Sequence, residues 1–217
     1  LSELHNDHQV YDRNYYEKAP MVGNLIVKGN NELKGFRTWY EQEYNIKGDG
    51  SLKITVGSVN LSTNKAIFDG PTLEVNASQY GDDQAVWVDA NENVNLTIKR
   101  GTMRLTATGI PLSVGVYHGN ASLTLDKRMK VTQPEGAKQF VWGEDNDYAI
   151  VFTDAQNNVL TNTTLVIETV AVPLTITVDP DIPHGAVTPN VLEADEGDII
   201  TLKCQPQTGY KLNVLTI

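Results

Sequence analysis

The sequence predicts an all-β protein: a β-solenoid across residues 21–172, then a small β module across 173–217. Three observations predict it. Apolar residues come in short runs that alternate with polar ones, as in "LKITV" (52–56), "NLTIK" (95–99) and "MRLTA" (103–107). Alternation with period two, bounded by Gly, Asn and Asp, marks strands with one buried face. A local motif recurs along the chain, and the rhythm changes at Pro173.

The first twenty residues, "LSELHNDHQVYDRNYYEKAP", lack the alternation and read as an N-terminal cap, a short helix or an irregular segment ending near Pro20. The repeat follows. Ala66-Ile67-Phe68, Ala85-Val86-Trp87, Gly115-Val116-Tyr117 and Phe140-Val141-Trp142 share one form, with Thr38-Trp39-Tyr40 as a looser copy. The first three are followed by a turn and a strand of the form Leu-x-Ile/Val/Leu. These strands begin at Leu73, Leu96 and Leu123, with Leu52 one unit earlier. The spacings are 21, 23 and 27 residues. A drifting period made only of strands and turns belongs to a solenoid, because one unit cannot bury its apolar side alone. A β-sandwich also gives short strands but has no reason to repeat one local motif.

"NLIVKGNNELKG" (24–35), "YNIKGDGSLKITVGSVNLS" (44–62) and "VNLTIKRGTMRLTATG" (94–109) resemble the repeats of secreted bacterial right-handed parallel β-helix proteins. These include carbohydrate-binding β-helix modules found beside cellulose- and pectin-degrading systems. The resemblance spans about residues 21–172, and "QFVWGEDNDYAIVFTDAQNNVLTN" (139–162) departs from it. The tail resembles the small β modules repeated in bacterial surface proteins, the internalin B-repeat-like class. It does so through His184-Gly185, Ala194, Gly197-Asp198, Thr201-Leu202, Pro206, Gly209-Tyr210, Leu212, Leu215 and Ile217. That resemblance implies an exported, modular, extracellular or cell-surface protein in which such modules are spacers, with Tyr210 packed on a small core.

Composition narrows the function classes. With 17 basic and 27 acidic residues the chain has a net charge of −10, which opposes binding to nucleic acid. No apolar run reaches membrane-spanning length. Leu1 is not a natural start, as expected if a leader has been cut away, and flanking modules of a longer chain are expected. The lone Cys204 excludes an internal disulfide and a Cys-rich zinc site.

Two candidate sites stand out. Tyr40, Phe68, Trp87, Tyr117 and Trp142 align as one aromatic per coil, with Ile67, Val86, Val116 and Val141 as the inward column. Aromatics facing outward on a flat sheet offer area to the apolar faces of sugar rings. The competing reading is a ladder packed inside the coil or under the cap. Asp89, Asn91 and Asn93 have the alternate spacing of a Ca²⁺ loop but lack its following Gly and distal Glu, so solvated turns compete. No other cofactor is implied.

Catalysis has little support. Arg100, Arg104, Lys127 and Arg128 read as solvated charges, and His5, His8, His118 and His184 do not converge. No catalytic residue is assigned. The leading expectation is non-enzymatic binding of a polysaccharide or host glycan. A structural stalk is the second, and a polysaccharide lyase or hydrolase the third.

Overall fold

The computed structural model describes residues 4–6, 23–55, 57–77, 84–144, 147–171, 173–194 and 198–213. The chain divides into two compact units, Leu1–Val170 and Ala171–Ile217. Among the described residues there is no helix.

The first unit is a β-solenoid of about three turns. Its strands are β1 (Leu4–Asn6), β2 (Gly23–Val27), β3 (Asn30–Leu33), β4 (Phe36–Gly48), β5 (Ser51–Ile54) and β6 (Val59–Asn76), followed by β7 (Gln84–Ala107), β8 (Ile110–Leu125), β9 (Met129–Gln133), β10 (Lys138–Glu144), β11 (Asp147–Thr153) and β12 (Thr163–Thr169). The long strands β4, β6, β7 and β8 bend around corners, so that each coil contributes to three parallel faces. The first face stacks β2, the end of β4, the middle of β6, β7 and the end of β8. The second stacks β3, β5, the end of β6 and the end of β7. The third stacks the starts of β4, β6, β7 and β8.

Antiparallel strands close the stack. β1 pairs with β2, β12 pairs with β7 and β9, and the β10–β11 hairpin continues the third face by pairing β11 with β8. Apart from Leu4–Asn6, the expected cap of residues 1–20 lies outside the described residues.

Period-two alternation turns each face's inner side chains into columns, one per strand. Leu25, Ile46, Phe68, Ile98 and Leu125 stack along the first face. Leu52, Leu73, Met103 and Ile167 stack along the second. Thr38, Leu61, Val88, Val114 and Ile150 stack along the third. These residues, except the half-buried Leu125, are buried. At roughly 1.5–3 kcal/mol per fully buried aliphatic or aromatic side chain, such columns are the main favourable term for this unit.

This register corrects the sequence alignment. Leu52 does stack on Leu73, but Leu73 stacks on Met103 of the second face. Leu96 belongs to the first face, between Ala66 and Leu123. The apparent single repeat therefore joins two faces.

The second unit holds β13 (Leu174–Thr175) paired with β15 (Glu193–Ala194), and β14 (Gly185–Pro189) paired with β16 (Leu202–Pro206). Tyr210 does not pack on a buried core. It is 55% exposed and stacks on the His184 ring, with centroids 4.1 Å apart. His184 has φ +60°, a left-handed conformation, and leads into Gly185.

Candidate functional site

The aromatics do not form one ladder. Phe68 is 2% exposed and stacks between Ile46 and Ile98 inside the coil, while Ile67 points outward over the Asn45–Thr97 row. The cause is parity: Ala66 and Phe68 share the inner face, so the intervening Ile67 cannot. Val141, expected inward, is 57% exposed, because β10 is an added edge strand beyond the coil. Tyr40 lies within β4, but its side chain falls outside the described residues.

Trp87, Tyr117 and Trp142 do meet, on the third face. Val86 and Val88 are both buried, which turns the intervening Trp87 outward, where it is half-buried. Buried Val114 and Val116 likewise turn Gly115 and Tyr117 outward. Registers then build an outer row across five strands: Ser62, Asp89, Gly115, Ala149 and Trp142. A second row of Arg37, Asn60, Trp87 and Ser113 flanks it.

Gly115 and Ala149 floor a trough of about 390 Å³, walled by Trp87 and Gln84 with Tyr117, Tyr148 and Trp142. A Cβ on residue 115 would stand 3.7 Å from Ala149 Cβ and 3.8 Å from Trp87 Nε1, ordinary contact distances. The backbone at 115 has no need of glycine, so the missing side chain is what keeps the floor open. The Tyr148 hydroxyl donates to the Gly119 carbonyl, and the residue also packs against the core. A second cleft of about 490 Å³ adjoins it, lined by Arg37, Gln42, Asn64 and Glu92, and shares Trp87, Asp89 and Tyr117.

Asp89 stands where the two clefts meet. Its Oδ1 accepts from Ser62 Oγ at 2.9 Å. Burial pushes its carboxyl above the ordinary aspartate range, opposed by the Ser62 hydrogen bond and the Arg37 charge. Asn91 and Asn93 are the other two expected calcium ligands. Asn93, in a left-handed conformation at φ +31°, uses Oδ1 to accept from Asn120 N at 2.9 Å, and Asn91 is exposed. Among the described residues no three His, Cys, Asp or Glu side chains are grouped to hold a metal ion.

The first face has a different chemistry. Lys65 meets Glu43 at 2.8 Å, Arg100 meets Asp69 at 2.6 Å, and Asn95 donates to Ser122 at 2.7 Å. These are exposed polar ladders that contribute little stability. Arg104 stacks beside Glu74 on the second face, so neither arginine enters the trough.

Sequence reasoning missed Gly115, Ala149, Tyr148 and Gln84 as trough residues. Gly115 was legible: in "SVGVY" it holds an outward position between two inward valines. Ala149 and Tyr148 arrive by a hairpin return that no local pattern encodes. In comparisons with known proteins, no family model, no curated protein and no solved structure matches the chain.

Proposed function

We propose that the third face binds a carbohydrate chain without transforming it, and that the protein is a glycan-binding or adhesive module of an exported bacterial surface protein. One observation carries the reading: Trp87, Tyr117 and Trp142 surround a floor made of glycine and alanine. A flat ring lying on that floor meets aromatic walls on its apolar faces, while Asp89, Gln84 and Ser113 offer polar atoms to its hydroxyls. The sequence resemblance of the tail to surface-repeat modules supports export and a modular setting.

Affinity electrophoresis against a panel of neutral and acidic soluble polysaccharides tests it. At least one should retard the parent. Gly115→Leu should abolish the retardation by filling the trough, and Trp87→Ala should weaken binding by about 1–3 kcal/mol. Both variants should keep the parent's unfolding transition, since both side chains lie outside the core. Failure of every glycan to retard the parent sinks the reading.

Hydrolysis is the second reading, favoured by a carboxyl held above its ordinary range in a cleft that Arg37 and Glu92 also line. It predicts release of reducing ends from a bound polysaccharide, lost in Asp89→Asn. Binding with no such release leaves the first reading standing.

A further inference from the structure

We propose that β10 is a self-pairing edge, through which two copies of this chain join antiparallel about Val141. Among the described residues β10 pairs only with β11, so its other edge offers free backbone groups. Unprotected edges in natural sheets are usually blunted by proline, a bulge or a central charge. β10 has none of these: "KQFVWGE" holds no proline, and its seven pairs with β11 run without a register shift.

Its apolar surface is concentrated. Phe140, Val141 and Trp142 are 43%, 57% and 52% exposed, and among the described residues of the first unit only Tyr117 joins them as an exposed large hydrophobic. Because the three are consecutive, both faces of the strand carry apolar surface. A ligand trough on one face accounts for Trp142 but not for Val141.

The occupant follows from the strand's own symmetry. Antiparallel pairing centred on Val141 places Val141 against Val141, Phe140 against Trp142, and Lys138 against Glu144 of the second copy. Residues of unlike charge fall at opposed positions at both ends, and aromatic positions flank the axis. Parallel pairing in register would set Lys138 against Lys138 and Glu144 against Glu144. The sequence therefore complements itself in one orientation only, the isologous arrangement of a two-fold dimer. Phe140 of the second copy would then extend the row that ends at Trp142, leaving both troughs on one sheet face.

Sedimentation velocity on the full chain, over a range of protein concentrations, is the test. The parent should reach dimer mass. Val141→Lys sets two like charges on the axis and should weaken association at least about tenfold. Lys138→Glu should also weaken it, and Lys138→Glu combined with Glu144→Lys should restore it, since the swap recreates unlike pairs. The unfolding transition of each variant confirms that it is folded. A parent that stays monomeric at every concentration overturns the proposal. So does a dimer that survives Val141→Lys, or a double swap that fails to recover. Glycan retardation is read separately, so either result leaves the binding reading to its own test.

Discussion

Asp89 shows how one residue ties the trough to stability. Its carboxyl is held above the ordinary aspartate range, first by burial, so the folded chain binds this proton more tightly than the unfolded chain does. The sign follows from linkage. Between the unfolded and the raised folded pKa the native state holds more protons, and stability rises as pH falls through that window. Above the window the buried charge is a full cost. Asp89→Asn keeps an acceptor for Ser62 and removes the charge. It should therefore raise the melting temperature at neutral pH, with the gain disappearing once the pH drops below the ordinary aspartate range. Thermal melts of the pair at several pH values check this. A neutral-pH melting temperature unchanged or lowered would mean that Ser62 and Arg37 compensate the buried charge in full.

At the scale of the element, the corner between the first and second faces is set by stacked glycines. Gly48, Gly70 and Gly101 all have positive φ, and a Cβ on Gly70 would lie 2.2 Å from the Gly48 carbonyl oxygen. Successive coils approach here backbone to backbone, so no side chain can intervene. Gly70→Ala should destabilise the unit by at least about 1–3 kcal/mol from backbone strain alone, measured by denaturant unfolding. Gly115→Ala, where the Cβ has room, should cost far less.

The same corners explain what was legible in the sequence. Strand existence was readable wherever apolar and polar residues alternate, because one face of each strand is buried. Register was not. Every face obeys the same period of two, so a motif on one face looks like a motif on another. Ala66-Ile67-Phe68 and Ala85-Val86-Trp87 resemble each other, yet the first stacks on Leu96-Thr97-Ile98 and the second on the strand through Leu112 and Ser113. Only the coil's path around its corners distinguishes them. The outward position of Trp87 follows from its buried valine neighbours. The trough needs more: Ala149 and Trp142 reach it through antiparallel pairings of distant segments.

For the molecule as a whole, the row from Ser62 to Trp142 runs across strands, along the stacking direction of the coils. Five strands at a spacing of about 4.8 Å give four steps, a run of roughly 19 Å. A linear polymer lying in this row meets Asp89, then Gly115 and Ala149 between the aromatic walls, then Trp142. On a single copy each added ring should gain contacts until the row is covered, and later rings should meet only solvent. Affinity measured by calorimetry on the monomeric protein, with Val141→Lys as the means of holding it monomeric, should therefore climb with oligosaccharide length and level off once the oligomer spans about 19 Å. Trp142→Ala should move that plateau to a shorter oligomer, because it removes the end of the row and leaves the floor intact. An affinity that does not depend on length would instead place recognition at a single ring or chain end, with Gly115 as its seat and Trp142 outside it.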